Sequence, residues 1–389
     1  MDYHYDFDSV IDRRNTFSYK WDVPDSELPM WVADMDFRTA PEITAAITER
    51  ASHGIFGYTT LPDCWYDAYI EWWAARHGIR YSKEQMIFST GVIPTVSSCV
   101  RKLTTPAEKI ILMTPVYNVF YNCILNNGRV PLECPLRYED GAYSVDFDLL
   151  ERAFSDPQAT MLLLCNPQNP TGKIWNRQTL ARIGALAAAH GVIVLSDEIH
   201  CDLTMPGQEY VPYAAVSEIC AGNCIICVSP TKTFNLAGLQ TSAVIVPNPH
   251  IRHRVRRALN TDECAEPNVF AVQSAVAAFT KGAPWLDELR TYLFENRELV
   301  SAYLEAELPQ IRLVRSDATY LLWLDCAAVS QDSRQLARYI RERTGLYLSN
   351  GAQYGGTGVF LRMNIACPRA LLRDGLRRLK TAIDSLNRK

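Results

Sequence analysis

The sequence predicts an α/β protein with a large domain, built on a mostly parallel sheet covered by helices, and a smaller α+β domain. From about residue 85, short apolar runs alternate with helical patterns, as strands joined by crossover helices do. After Pro284 the pattern changes to a long helix and a mixed segment. The 389 residues are 48% hydrophobic and 21% charged, so the chain has enough apolar material for a sizeable core.

The predicted large domain contains a series of apolar runs, each a candidate buried strand. The runs cover 85–89, 109–113, 161–165, 192–195, 225–228 and 243–246. One helix follows the turn at Gly91 and ends near Leu103. Another begins after Asn176, a suitable N-cap, and is terminated by Gly191. The first 40 residues, in contrast, show no regular pattern.

The predicted small domain begins with a long helix. Its leucines recur from Leu289 to Leu308, and it stops before Pro309, as helices before proline usually do. We therefore place a domain boundary at Pro284. Beyond it, strands are expected near 311–314, 320–324 and 359–365, and helices near 334–343 and 372–386.

Charge and composition exclude several classes of function. The 39 Lys and Arg and the 43 Asp and Glu give a net charge of −4, and no local basic run suggests a nucleic-acid partner. Residues 1–6 do not begin a signal peptide, and no apolar run is long enough to span a membrane. The 12 cysteines occur largely in strand-like runs, which favours a reducing, cytoplasmic location.

Two motifs resemble metal or cluster sites but are better explained by packing or backbone bonding. Cys220, Cys224 and Cys227 have the spacing of an iron–sulfur motif, yet strand alternation would point the last two thiols to opposite faces. Asp34 and Asp36 form a carboxylate pair in a Pro-flanked segment, where such residues more often bond the backbone. The sequence therefore predicts no metal site.

Complementary polar residues follow several of the apolar runs. These are Asn169 after one run, Asp197 and His200 after the next, and Lys232 after a third. The turn at Gly91 adds the amino terminus of a helix, which suits a phosphate group. Because the carboxyl ends of strands in a doubly wound sheet gather in one crevice, we expect these groups to meet there.

An amide, a carboxylate, a lysine and a phosphate cup are together what pyridoxal 5′-phosphate requires. The lysine forms a Schiff base with the cofactor, and the carboxylate keeps the pyridine nitrogen protonated. The amide bonds the phenolic oxygen. The sequence therefore predicts an enzyme that uses this cofactor.

The chain resembles the fold-type I pyridoxal-phosphate enzymes of the class I/II aminotransferase superfamily. Within it, the motifs resemble the MalY/PatB branch, the cystathionine β-lyase or C–S lyase type. The resemblance implies an aspartate aminotransferase-like fold with a seven-stranded sheet in a cofactor-binding domain at 45–284. Residues 1–44 would form an arm and part of the small domain, and 285–389 the rest of it. The motifs are Pro29–Phe37, Gly57–Thr59, Thr114–Tyr117, Ser196–His200, Lys232–Gly238 and Arg362–Pro368.

The resemblance implies roles for four residues around the cofactor ring. Lys232 would be the Schiff-base lysine and then the base that removes the substrate α-proton. Asp197 would pair with the pyridine nitrogen and Asn169 with the phenolic oxygen. Tyr117 would stack on the ring and act with Lys232 in catalysis.

The resemblance also implies a phosphate site and a shared active site. Gly91, Val92 and Ile93 correspond to the phosphate-binding turn, and Ser229 would supply a hydroxyl. Tyr58 matches a tyrosine that reaches the phosphate from the neighbouring subunit, which implies a homodimer.

Substrate binding is implied mainly by Arg362, which matches an arginine that holds the substrate α-carboxylate, with Tyr58 and Asn169 beside it. Two positions depart from the aminotransferase pattern. Gln240 stands where a phosphate-binding arginine is common, and His200, counted with the cofactor-binding residues, stands where tyrosine is common. Both differences favour the lyase branch.

The predicted reaction is β-elimination from an L-cysteine S-conjugate such as cystathionine, giving a thiol, pyruvate and ammonia. Two alternatives stay open. One is an aminotransferase acting on an L-amino acid, which shares the early steps and differs in its products. The other is a protein of this fold that serves mainly as a regulatory binding partner.

Overall fold

The computed structural model describes residues 3–386, so the first two and last three residues of the predicted terminal segments lie outside it. The helices are α1 (Pro41–Ser52), α2 (Asp63–His77), α3 (Val92–Leu103), α4 (Val119–Leu125), α5 (Phe147–Phe154), α6 (Arg177–Ala189), α7 (Glu218–Gly222), α8 (Pro230–Thr233), α9 (Pro249–Thr261), α10 (Ala271–Lys281), α11 (Ala283–Glu307), α12 (Ser333–Thr344) and α13 (Arg369–Leu386). The strands are β1 (Leu28–Pro29), β2 (Met86–Ser89), β3 (Lys109–Thr114), β4 (Val130–Pro135), β5 (Arg137–Glu139), β6 (Ala142–Ser144), β7 (Ala159–Cys165), β8 (Ile193–Asp197), β9 (Cys224–Val228), β10 (Ser242–Ile245), β11 (Arg312–Leu313), β12 (Leu321–Asp325), β13 (Leu346–Tyr347), β14 (Ser349–Asn350) and β15 (Phe360–Asn364).

The large sheet has seven strands within the described residues, in the order β2-β10-β9-β8-β7-β3-β4. β10 is antiparallel to both of its neighbours, and the other pairs are parallel. The central strands are almost wholly apolar because helices cover both faces of a parallel sheet. With the smaller α+β part described below, this sheet confirms the predicted fold class.

The central strands are level at their carboxyl ends. Cys165 of β7 pairs with Asp197 of β8, and Asp197 pairs with Cys227 of β9. Residues that follow these three strands therefore meet at one edge of the sheet, where parallel α/β folds bind ligands.

A second, antiparallel sheet has the order β11-β12-β15-β14. In it, Arg362 of β15 lies opposite Trp323 of β12 and Ser349 of β14. The amino-terminal strand β1 pairs in parallel with β13, with Leu28 opposite Leu346. The division of the chain at residues 44 and 284 stays a prediction, and these pairings support it.

Several element boundaries differ from the prediction. The long helix begins at Ala283, so the boundary placed at Pro284 falls in its first turn, where a missing N–H costs no helical bond. The prediction had no counterpart for α1 and α2. The buried face of α2 includes Trp65 and Trp72, so its periodicity is carried by large aromatic residues and small alanines.

Two apolar clusters cover the faces of the large sheet. Cys224 packs in one cluster and Cys227 in the other, so the two thiols point to opposite faces as the alternation predicted. Among the described helices, none combines the length and apolarity that a bilayer crossing requires.

Candidate active site

A cavity of about 260 Å³ lies at the carboxyl ends of the central strands. It brings together eight of the residues predicted for the site. Ser229, Arg362 and Tyr58, also predicted, do not line it. The lining consists of Ala33, residues 90–94, Tyr117, Asn169, Asp197, Ile199, His200, Thr231, Lys232, Ala237, Gln240 and Thr241.

Asp197 is the last residue of β8, and its carboxylate is buried in the cavity wall. It accepts a hydrogen bond from the Ile199 N–H at 3.1 Å. Burial raises the pKa of Asp197 to about 7, and the nearby Lys232 charge opposes that rise. A cationic partner, such as a protonated pyridine nitrogen, would therefore stabilise the ionised carboxylate.

Lys232 lies in the short helix α8, directly after β9. Its Nζ donates a hydrogen bond to the Ala33 carbonyl oxygen at 2.6 Å. Burial lowers the pKa of Lys232 to about 8, assisted by the positive charge of Arg362 and opposed by Asp34 and Asp197. An amine with this pKa is partly neutral near neutral pH, as a nucleophile or base must be.

His200 is buried one turn beyond Asp197. Burial, together with the charges of Lys232 and Arg362, lowers the pKa of His200 to about 3. Its Nδ1 has no hydrogen-bond partner within the described part of the chain. The imidazole is therefore neutral, and its buried Nδ1 is free to bond a ligand.

Asn169 and Arg362 lie side by side. Arg362 Nη1 donates to Asn169 Oδ1 at 3.2 Å, and Arg362 Nη2 donates to the Trp31 carbonyl at 2.8 Å. The guanidinium also lies 4.9 Å from the centre of the Tyr354 ring. The Arg362 Nε is buried and has no hydrogen-bond partner among residues 3–386. This N–H donor of the guanidinium is therefore left unpaired by the protein.

The amino terminus of α3 forms the other end of the cavity. Gly91 is the N-cap, and the first helical residues, Val92 and Ile93, also line the cavity. Helix N–H groups at this position suit an anion. Thr231 and Thr241 add hydroxyl groups, whereas the Ser229 hydroxyl lies behind them and donates to the Thr241 carbonyl at 2.7 Å.

The two predicted tyrosines have different environments. Tyr117 lines the cavity, and burial raises its pKa to about 12, so the phenol stays protonated. Tyr58 lies between α1 and α2 with its side chain fully exposed. Ile55 and Phe56 are exposed beside it.

These features fit pyridoxal 5′-phosphate. Lys232, Asp197 and Asn169 are the three functional groups that its ring requires, and the turn at Gly91 suits its phosphate. Buried polar atoms without partners, such as His200 Nδ1, are expected where a polar ligand completes the site.

The segment 31–35 contributes more to the site than the sequence indicated. Its main-chain oxygens accept bonds from Lys232 and Arg362. The expectation that Asp34 and Asp36 bond the backbone was wrong, because Arg13 forms ion pairs with both carboxylates, at 2.7 and 2.6 Å. Carbonyl oxygens carry no residue-type signal, so sequence alone does not reveal this role.

One group of possible metal ligands occurs among the described residues, outside the cavity. Atoms of His77, Cys201 and Asp202 lie within 4.8 Å of one another. The Asp202 carboxylate already accepts bonds from Trp72, His77 and Thr233 at 2.9–3.0 Å. Through these bonds the Asp202 carboxylate connects α2 with α8, which accounts for its place in this group.

Comparison with known proteins relates nearly the whole chain to one group. The profile of the family described as aminotransferase class I and II matches residues 29–379. Cystathionine beta-lyase PatB of Bacillus subtilis (strain 168) is 43% identical over 385 residues, covering 97% of this chain and 99% of that protein. Protein MalY of Escherichia coli (strain K12) is 33% identical, with 97% and 99% covered.

A solved structure is similar over the same length. Cystalysin from Treponema denticola, which contains a pyridoxal 5′-phosphate cofactor, is 30% identical and has a TM-score of 0.95. The similarity covers 98% of this chain and 99% of that chain.

Proposed function

The chain belongs to the aminotransferase class I and II family, and we propose that it is a pyridoxal phosphate-dependent carbon–sulfur β-lyase acting on L-cysteine S-conjugates such as cystathionine. The observation that carries the proposal is that the Lys232 amine, the Asp197 carboxylate and the Asn169 amide line one cavity at the carboxyl ends of the strands. The full-length similarity to a protein named cystathionine beta-lyase favours elimination over amino-group transfer.

When bound, pyridoxal phosphate supplies an electron sink for the carbanion at the substrate α-carbon. Lys232 would hold it covalently, Asp197 would face its pyridine nitrogen, and Asn169 its phenolic oxygen. Gly91, with the next two residues, would hold its phosphate through main-chain N–H groups.

Lys232 in the cavity and Arg362, which contacts the lining residue Asn169, divide the remaining work. Arg362 binds the substrate α-carboxylate through its fork of N–H donors, which fixes the substrate in one orientation. Lys232, released once the substrate amino group replaces it, would then take the α-proton through its neutral amine. The Cβ–S bond then breaks, and the sulfur leaves with the electron pair and takes up a proton. Water releases the remaining three-carbon fragment as pyruvate and ammonia.

The proposed enzyme is a homodimer with shared active sites. The exposed side chains of Ile55, Phe56 and Tyr58 support this proposal, because exposed apolar side chains of this size commonly mark interfaces. Tyr58 would reach the phosphate site of the second copy. A cytoplasmic location is proposed because all 12 cysteines are free thiols, as in a reducing compartment.

The experiment that tests the proposal is to incubate the cofactor-loaded protein with L-cystathionine, without a keto acid, and to assay pyruvate and free thiol together. Equimolar formation of both over many turnovers is the expected result. If neither product forms, and an added α-keto acid is instead converted to its amino acid at the expense of cystathionine, the protein is an aminotransferase. If no product forms under either condition, catalysis of this kind is refuted.

A further inference from the structure

Five consecutive main-chain carbonyl groups, those of residues 31–35, accept hydrogen bonds from side chains; we call this segment the acceptor ribbon. Trp31 O accepts from Arg362 Nη2 at 2.8 Å, and Ala33 O from Lys232 Nζ at 2.6 Å. The carbonyls of residues 32 and 34 both accept from Asn364 Nδ2 at 2.6 Å. The two cationic side chains assigned to catalysis and substrate binding thus share one backbone support.

The acceptor ribbon belongs to no helix or strand. Main-chain bonds hold the residues on either side of it, Met30 and Asp36, and side-chain contacts hold the residues between them. Arg13 supplies two of these side-chain contacts and a third to the next residue, Asp36. It pairs with Asp34 at 2.7 Å and with Asp36 at 2.6 Å, and it donates to the Met35 carbonyl at 3.0 Å. Lys20 pairs with Asp36 at 2.7 Å and donates to the Asp34 carbonyl at 3.3 Å.

A second anchor ties the acceptor ribbon to the loop after Lys232. The Asn235 side chain accepts from the Met35 N–H and donates to the Met35 carbonyl, both at 3.0 Å. It also donates to the Phe37 carbonyl at 3.0 Å. Residues 31–37 are therefore held between Arg13 and Lys20 on one side and the loop after Lys232 on the other.

Of the ion pairs of the arm, Lys20–Asp36 is withdrawn from water, whereas the side chains of Arg13 and Asp34 are 22% and 20% exposed. The side chain of Lys20 is 1% exposed and that of Asp36 is 4% exposed. Removing one partner of such a pair leaves the other charge buried and unpaired, which is strongly destabilising. The pair is therefore stable only when both partners are present. The arm thus helps to fix the acceptor ribbon, together with the bonds that Tyr320 and Asn364 donate to it.

We propose that Arg13 and Lys20 are positioning residues, which hold the acceptor ribbon so that its carbonyl groups set the place of the Arg362 guanidinium and the free Lys232 amine. Neither residue lines the cavity. The inference rests on the proposed role of Arg362 in binding the substrate carboxylate. Arg13 and Lys20 belong to the amino-terminal arm, and neither is among the site residues named above. Their proposed role adds the arm to the groups that orient the substrate.

The test compares Arg13→Gln with Arg13→Lys and with a matched control, Arg76→Gln. Arg76 pairs with Asp287 through two bonds of 2.9 Å, and its side chain is 21% exposed against 22% for Arg13. Two quantities are measured in the full-length protein. One is hydrogen–deuterium exchange of the 31–37 amides, with and without cofactor. The other is the affinity for L-alanine, which has no leaving group, from the absorbance change of the bound cofactor.

We expect Arg13→Gln to speed exchange at the hydrogen-bonded amides of this segment, those of Met35 and Asp36, and to weaken L-alanine binding, each about tenfold. Arg13→Lys should recover most of both effects because it keeps the charge, and Arg76→Gln should change neither. Exchange in β8 should stay slow in every variant. If Arg13→Gln also loosens β8, Asp34→Asn is the milder variant, with the same expected signs.

Unchanged exchange in 31–37 would overturn the proposal, and so would faster exchange with unaltered L-alanine affinity. Neither readout depends on elimination. Failure of the lyase assay would therefore leave these results interpretable, because an aminotransferase also binds L-alanine through its carboxylate.

Discussion

Lys232 is the residue whose environment most directly sets its chemistry. Its pKa of about 8 follows first from burial and then from the nearby Arg362 charge. In protein freed of cofactor, the rate of pyridoxal phosphate capture should therefore rise with pH and level off above about pH 8, since only the neutral amine attacks an aldehyde. Stopped-flow absorbance measures this rate. Lys232→Ala should show no covalent capture, and a rate still rising at pH 10 would contradict the lowered pKa.

The pKa of Asp197 shifts in the opposite direction from that of Lys232, because burial raises it to about 7 in the cofactor-free protein. A carboxyl whose folded-state pKa is raised contributes stability below its unfolded pKa and loses it as the pH rises through about 7. Asp197→Asn cannot ionise. The variant should melt at a higher temperature than the parent at pH 8, by about 2 °C for each kcal/mol, and at nearly the same temperature only below about pH 4.

The control for Asp197→Asn is the loaded enzyme, measured by the same thermal scan. With cofactor bound, the sign should reverse, because the ionised carboxylate then has a cationic partner that Asn cannot replace. A variant that stays more stable than the parent when loaded would remove the proposed pairing with the pyridine nitrogen.

The types of residue that follow the strands allowed part of the site to be predicted from the sequence. Asn169, Asp197 and Lys232 could be placed together because each follows an apolar run, and the ends of parallel strands meet. The partners of Arg13 and Lys20 could not be predicted, because they lie 14–23 positions away across an irregular segment where no periodicity relates one residue to another.

At the scale of elements, helix α6 shows how packing overrides local propensity. Gly184 lies inside this helix, and a Cβ there would come within 2.4 Å of Cys220 Sγ and 3.0 Å of the Tyr213 hydroxyl. Gly184→Ala would gain about 1 kcal/mol of helix propensity, yet overpacking typically costs about 1–3 kcal/mol. We expect net destabilisation in urea unfolding, with unchanged turnover of folded enzyme.

An adjacent site on the same helix provides the comparison. Ala185→Gly removes propensity from α6 without adding a clash, so it should destabilise by about 1 kcal/mol. A stabilised Gly184→Ala variant would show that α7 can move away from α6.

The elements themselves were predictable where apolar runs were continuous. The strands β7, β8 and β9 were located within about two residues because both faces are buried and the runs stand out. Helices α1 and α2 were missed for a physical reason. In α1 only Ile43 is buried, and α2 packs through aromatic and small residues, so neither shows an aliphatic repeat.

For the whole molecule, the proposed shared active site makes a prediction about mixtures. Lys232→Ala lacks the amine, and Tyr58→Ala lacks the group proposed to cross the interface. Both should be nearly inactive alone. After reversible dissociation and random reassembly in equal amounts, the mixture should recover about a quarter of the parent activity, because half the dimers are mixed and each has one complete site.

Sedimentation before and after mixing is the control for dimer exchange. A fully active Tyr58→Ala variant, or exchange without recovery, would place the partner's contribution elsewhere.

The Arg362–Trp31 contact joins residues 331 positions apart in the chain. Contacts of such large sequence separation form late in folding, because closing a long loop costs entropy before the contact repays it. The strand ends that would bind the cofactor need residues up to about 245, because β10 joins β2 to the central strands, whereas the proposed carboxylate site needs β15 as well as the arm. During synthesis, a ribosome-bound chain stalled between these points would already carry the groups for capturing pyridoxal phosphate, and it would gain selectivity for amino acids only when its last strand emerged.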